Sequence, residues 1–265
     1  MADNQQESTS GTAAQRMFGP QAGVYAVSTV HVRDDSLDSV QRLAAEAAPY
    51  RWTVDLGTGA GFTAFAMAQV SEHVVASDIT RPMLQQAERI GGERGLGNLG
   101  ICQNAAESLP FSDASLDLVT SRVAAHHFRD FEAALNEAQR VLKTGGSLVM
   151  ADSVSPEDDA VCDWMNDIEL RRDFSHVENR KVSVIQQMLA ERGLEITGHE
   201  TTRVYLMFNE WVTRTKVPED EVAVLRKDFM SATPKIKEEF TVESLNEDGN
   251  FKFSWPCWIF RAVKN

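Results

Sequence analysis

Two adjacent imidazoles, His126 and His127, follow a short apolar run. Imidazole titrates near neutral pH, so either could take a proton from a phenol, an enol or an activated carbon. The bland alternative has one ring packing beside a ligand and the other bonding a loop. Upstream, Val54-Asp55-Leu56-Gly57-Thr58-Gly59-Ala60-Gly61-Phe62 reads as the end of a strand, a tight turn and the start of a helix. Glycines at alternate positions let the backbone bend sharply and approach a ligand, while the helix that follows presents unpaired N–H groups. Asp78 lies about twenty residues beyond that turn, the separation at which a carboxylate can receive both hydroxyls of an adenosine ribose. Its alternative role is to cap the helix that starts near Thr80. Asp55, inside the turn, argues against a pyrophosphate: a negative charge there repels phosphate and welcomes an ammonium or a sulfonium.

These groups need a frame that brings them to one edge. Short apolar runs at 51–56, 73–77, 99–103, 116–121 and 147–151 alternate with helical stretches near 61–70, 82–94 and 131–142. That rhythm predicts an α/β fold, a parallel sheet with helices on both faces, and in such sheets ligands bind at the carboxyl edge. Arg122, His126 and His127 follow the fourth run and so belong to that edge. Ser36 is placed to cap a covering helix ended by Pro49, Gly91-Gly92 and Gly95 with Gly97 to end the helix after the second strand, and Lys143-Thr144-Gly145-Gly146 to turn into the fifth strand. Beyond Asp152 the spacing predicts helices at 157–171, 181–192 and in pieces across 208–240, with strands near 194–204 and at 251–262 completing the sheet edge. The charged segment between those strands suits a lid. Trp164 and other tryptophans could line a pocket for an aromatic or prenylated acceptor, although most aromatics at such spacing are core.

The 265 residues suffice for one domain with additions: a disordered tail over 1–13, an N-terminal cover over 14–48, a cofactor-binding core over 49–152, helices and a lid over 153–250, and a last strand over 251–265. Lys and Arg total 26 against 39 Asp and Glu, a net charge of -13 that repels nucleic-acid backbones and anionic lipid surfaces. Nucleic acid is therefore not the expected substrate. The three cysteines are scattered, which fits reduced thiols and a cytoplasmic setting and gives no metal-ligand spacing. No run is apolar for long enough to span a bilayer. A monomer or homodimer is expected.

The motifs resemble the class I S-adenosylmethionine-dependent methyltransferases, specifically the branch similar to ubiquinone/menaquinone-biosynthesis C-methyltransferases. VDLGTGAGFTAF resembles their first motif, VVASDIT the second, NAAESLPFSDASLDLV the adenine loop and fourth strand, SRVAAHHF the end of that strand, and VLKTGGSLVMAD the fifth. With RRDFSHV at 171–177, the likeness covers about residues 16 to 195. It implies a Rossmann-like, seven-stranded, mostly parallel sheet with a helical lid, S-adenosyl-L-methionine as cofactor, and methyl transfer to carbon, oxygen or nitrogen of a small organic acceptor. It further implies that Asp55, Gly57 and Gly59 surround the methionine part, that Asp78 binds the ribose, that Ile79 and Met83 flank the adenine, and that Ala106 and Glu107 form the adenine loop. Arg122 joins the cofactor side.

An N-terminal segment of this kind folds over the cofactor in the family, which gives Tyr25, with Ser28 and His31 nearby, a closing role or a bond to the cofactor carboxylate. As an alternative, Tyr25 only anchors its helix. Lid residues follow the fifth strand, so Arg171, Arg172 and His176 are candidates to hold an acidic substrate, against the reading of a solvated face or an ion pair with Asp167 or Asp173. One departure stands out: Asn104-Ala105 replaces the usual Gly-Asp, removing the carboxylate expected to accept from the adenine amino group. Two other functions remain open, a cofactor-binding protein repurposed for chemistry such as cyclisation, and a nicotinamide-dependent oxidoreductase, the latter disfavoured by Asp55.

Overall fold

The structure, a computed structural model, describes residues 11–26 and 35–265, without the side chains of residues 24 and 25. Strand β1 (Tyr50–Leu56) leads into α4 (Phe62–Met67), β2 (Ser71–Asp78) into α5 (Arg81–Glu93), then come β3 (Leu99–Gln103), β4 (Leu116–Arg122), α6 (Phe131–Val141) and β5 (Leu142–Ser153). Before β1 lie α1 (Ala13–Phe18), α2 (Ala22–Tyr25) and α3 (Asp35–Ala45). After β5 the chain forms α7 (Asp159–Arg172), α8 (Val182–Glu191), β6 (Leu194–Met207), α9 (Phe208–Arg214), α10 (Glu219–Ser231), α11 (Pro234–Glu239) and β7 (Lys252–Lys264).

The seven strands make one sheet in the order β3-β2-β1-β4-β5-β7-β6. The pairs from β3 through β5 are parallel, and β7 is antiparallel to both β5 and β6. The order reverses between β1 and β4, so the connections that leave their paired carboxyl ends run in opposite directions and open a crevice outside the sheet edge. Alternate residues bury both faces of the sheet. Val54, Leu56, Val119 and Leu148 meet Phe131, Leu135 and Leu189 on one side. On the other, Val74, Leu118 and Val149 meet Val40, Leu43 and Met67. The sheet is thereby fixed as a rigid base for its loops.

Several local expectations are revised. Strand β5 begins at Leu142, not 147: the register jumps from Leu116 opposite Leu142 to Leu118 opposite Ser147, so the expected turn at 143–146 is an irregularity within the strand. Gly91 and Gly92 lie inside α5, whose end is closed by the N–H of Gly95 to the carbonyl of Gly92 and of Leu96 to that of Gly91. Ser36 lies within α3, buried, with its Oγ 3.3 Å from Arg122 Nη1. Gly11 to Ala13, assigned to the tail, belong to a capped start of α1: Thr12 Oγ1 accepts from Gln15 N–H and Gln15 Oε1 from Thr12 N–H. Residues 1–10 lie outside the described part. Finally, α9 to α11 do not cover the crevice. Phe208, Trp211, Phe229, Phe240, Phe253 and Trp255 pack them into a separate apolar cluster on the far ends of β6 and β7.

Candidate active site

The turn after β1 is held from below. Asp55, 1% exposed, accepts from Thr58 Oγ1 at 2.6 Å and from Thr120 Oγ1 at 2.7 Å. Burial pushes its carboxyl up to about 6, against the hydroxyl bonds and the nearby Arg122 charge. Asp55 therefore braces the turn from underneath and does not line the cavity above it. A carboxyl raised in the folded state is protonated more readily there than in the unfolded chain, so its ionisation destabilises as pH rises from about 3.8 to about 6. Asp55→Asn is expected to remove that component. In urea melts across this window, the wild type should lose stability relative to the variant by on the order of 2–3 kcal/mol as pH rises; parallel profiles would refute it.

Gly57 and Gly59 both take left-handed backbone angles, φ +62° and +54°. A Cβ on Gly57 would come within 2.6 Å of Ala124 Cβ, whereas one on Gly59 would project into open space. That space is a cavity of about 980 Å³. Asp78, at the tip of β2, stands beside it with each oxygen taking one backbone amide, Gly59 N–H at 2.9 Å and Thr80 N–H at 2.7 Å. Burial raises its carboxyl above the usual range, opposed by those amides. Each oxygen keeps a lone pair for a hydroxyl. Ile79, Met83 and Ala106 add apolar lining, and Glu107 and Arg122 also reach the cavity. Asn104 lines it too, but its Oδ1 accepts from Ser77 Oγ at 2.9 Å and its amide donates to the Ala105 carbonyl at 3.0 Å.

The cavity continues to the turn Ala125–His127 that follows β4. Val123, a β-branched residue at φ +52°, starts that turn, with its N–H on the Ala151 carbonyl at 2.8 Å. Such a conformation is strained and persists only where the surroundings impose it. His127 lines the cavity, with its ring edge-on to Phe18 at 4.9 Å. Burial and the neighbouring His126 depress its basicity to about 3, so it is a neutral ring at pH 7.

His126 faces away from the main cavity. Its Nδ1 is 2.6 Å from Asp152 Oδ1, and its N–H donates to Asp152 Oδ2 at 3.1 Å. Burial disfavours the imidazolium, but the carboxylate outweighs burial and raises His126 above its ordinary value. Asp152 is held low by the same charge and hydrogen bonds, against its own burial. The two histidines thus differ: one forms a buried ion pair, and the other faces open space.

The four acceptor-side candidates do not line the cavity. Arg171 is paired with Asp167, Glu221 and Asp228. Arg172 stacks on Trp211 and lies 3.7 Å from both Glu169 and Asp173. His176 bonds Asn166 through Nε2 at 2.9 Å, behind His126. Trp164 stacks on Phe240 in the outer apolar cluster. Tyr25's side chain, Ser28 and His31 lie outside the described residues. Conversely, the reading of the residues missed Thr12, Arg16 and Phe18 of the N-terminal segment, and Arg129, Ser175 and Val177. Ser175 and Val177 sit inside the RRDFSHV motif, and Thr12-x-x-Gln15 spells a capping box, so both signals were present. Gln15 Nε2 ties α1 to the Ile79 carbonyl at 2.9 Å.

The residues fit S-adenosylmethionine. The glycine floor admits close backbone approach, Asp78 has spare lone pairs for a diol, and Ile79 and Met83 offer apolar contact for a purine. Residues 54–150 match the family described as methyltransferase domain. An uncharacterized methyltransferase of Bacillus subtilis, YcgJ, is 31% identical over 248 residues, 93% of this chain and 97% of that one. Its crystal structure superposes with a TM-score of 0.82 at 30% identity, covering 87% of this chain and 98% of that chain. The demethylmenaquinone methyltransferase of Thermus thermophilus is 39% identical over 116 residues, 43% of this chain and 52% of that protein. By sheet order, cofactor crevice and these relatives, the chain belongs to the class I S-adenosylmethionine-dependent methyltransferases.

Proposed function

We propose that the protein methylates a carbon, oxygen or nitrogen of a small organic acceptor seated between α1, the turn Ala125–His127 and the Ser175–Val177 segment. The observation that carries this reading is the continuity of the cavity: its roughly 980 Å³ runs from Asp78 to His127, at the upper end of the range for ligand pockets and enough for two occupants. The cofactor supplies an electrophilic methyl carbon on a positive sulfur. The chain's residues supply placement: Asp78 would hold the ribose, Ile79 and Met83 the adenine, and the Gly57–Gly59 backbone the amino-acid end. Phe18 and Phe128 add apolar walls. Alignment of nucleophile and methyl carbon is the main catalytic requirement of an in-line displacement.

His127 is the group we place against the acceptor, as proton or hydrogen-bond acceptor, while His126 and Asp152 hold the turn that carries it. The match to the quinone-methylating relative spans only about half of that protein, so its acceptor is not carried over. His127→Ala should lower turnover by about 10²-fold, the low end for general-base loss because this imidazole is a weak base. Its S-adenosylmethionine dissociation constant, measured by calorimetry, should change little. The assay is S-adenosylhomocysteine release over a panel of phenols, enols and amines. Unchanged turnover in the variant would remove His127 from the acceptor site. Tight cofactor binding with no release from any acceptor would favour a repurposed cofactor site.

A further inference from the structure

One edge of the His127 ring meets a second set of groups, beginning with Ser175 of the cavity wall. Its Nδ1 lies 3.1 Å from the carbonyl oxygen of Ser175 and 3.3 Å from Ser175 Oγ. A carbonyl oxygen can only accept, so Nδ1 carries the proton. Ser175 Oγ has already given its own proton to Asp173 Oδ1 at 2.6 Å, and Ser175 N–H donates to the same oxygen at 2.8 Å. The serine can therefore face Nδ1 only with its lone pairs.

Asp173 is 1% exposed, and its Oδ2 has no hydrogen-bond partner among the described residues; Arg172 Nη1 lies 3.7 Å from it. Leaving a buried carboxylate oxygen unpaired is costly, so a role as helix-end packing alone is a poor account of it. The His127 Nε2 has no partner among the described residues either and is the ring nitrogen left for the cavity. A histidine whose second nitrogen is held by a buried serine and carboxylate has its tautomer and ring orientation set in advance.

Building on the reading that His127 meets the acceptor, we propose that Asp173 and Ser175 are positioning residues that hold His127 in its Nδ1–H tautomer. The Nε2 lone pair then selects acceptors whose nucleophilic atom bears a proton, such as phenols, enols and N–H groups, over thioethers and tertiary amines. As the bond from nucleophile to methyl carbon forms and the carbon–sulfur bond breaks, with its electron pair staying on sulfur, the nucleophile's proton passes to Nε2. The positive charge that began on sulfur ends on the imidazole. The imidazolium sits beside His126, ring centroids 4.1 Å apart, which favours prompt loss of that proton to water.

The test is two-bond ¹H–¹⁵N correlation spectroscopy of the full chain labelled at histidine and bound to S-adenosylhomocysteine, with His127→Gln assigning the signals. The expected result is a protonated Nδ1 and a bare Nε2 at His127. Ser175→Ala, which keeps the carbonyl but removes the hydroxyl bridge, and Asp173→Asn should each admit a measurable share of the other tautomer. Each should also lower turnover about tenfold, and Asp173→Asn, at a residue that does not line the cavity, should leave KM little changed. Phenol added to the same complex should shift the Nε2 resonance, and anisole, its proton-free ether, should not. An Nε2–H or fully protonated ring in the wild type, tautomers indifferent to both variants, or an equal or absent response to the two probes would overturn the inference. None of these outcomes touches the methyl-transfer reading, which stands or falls on S-adenosylhomocysteine release by the wild type over the acceptor panel.

Discussion

Asp152→Ala is expected to lower folding stability by about 3–5 kcal/mol, the usual result of removing one member of a buried ion pair. The loss is large because one carboxylate serves three donors: His126 Nδ1 at 2.6 Å, His126 N–H at 3.1 Å and Ser153 N–H at 2.8 Å. The sign of the pH dependence follows from the two shifts. His126 is raised on folding, so its contribution is complete below about 6.5 and fades as pH climbs through its folded value. Asp152 is lowered on folding, so its contribution is complete above about 3.8 and fades as pH falls through its folded value. The gap between wild type and variant should therefore be widest between about pH 4 and 6.5 and narrower at pH 9. A fall in Tm of roughly 10 °C near pH 6, shrinking at alkaline pH, is the expected calorimetric signature. A variant as stable as the wild type at pH 6 would show that the His126 pair does not hold the turn.

Asp78→Ala should weaken S-adenosylmethionine binding by about a hundredfold. Two hydrogen bonds to a charged acceptor, each contributing about 1.5 kcal/mol, sum to about 3 kcal/mol, and each 1.4 kcal/mol is a factor of ten. The substitution also frees the Gly59 and Thr80 amides, so the turn loses a brace at the same time. Asp78→Asn separates the two effects, since it preserves an acceptor oxygen but not the charge; it should fall between alanine and wild type. Titration isotherms unchanged in both variants would contradict a ribose role for Asp78.

Much of the cofactor side was legible in the sequence because local rules govern it. A strand, alternate glycines and a helix start are contiguous, and the carboxylate at the tip of β2 follows at a separation that the βα repeat itself sets. Asp55 shows the limit of that reasoning. By position in the turn its charge is expected to face a sulfonium, yet the strand alternation that puts Val54 and Leu56 on one face turns Asp55 to the other, onto Thr120 of β4.

The acceptor side was less legible. Whether Arg171 meets a substrate depends on Glu221 and Asp228, fifty and fifty-seven positions away, and no local pattern reports such pairs. The lid expectation failed for a similar reason. Trp211, Val212 and Phe229 have the composition of a pocket wall, but they meet one another across α9 and α10 and pack with Trp255 of β7, a residue expected to be core, into an apolar cluster away from the crevice. His126 and His127, adjacent in sequence, were separated into ion pair and cavity wall only by Asp152, which the strand pairing of β4 with β5 brings alongside.

The most direct test is a crystal structure of the full chain with S-adenosylhomocysteine. The ribose hydroxyls should lie on the Asp78 carboxylate, the purine between Ile79 and Met83, and the sulfur toward the His127 end of the cavity. A ligand bound outside this crevice, or inside it with its sugar away from Asp78, would contradict the assignment of the crevice and the roles built on it.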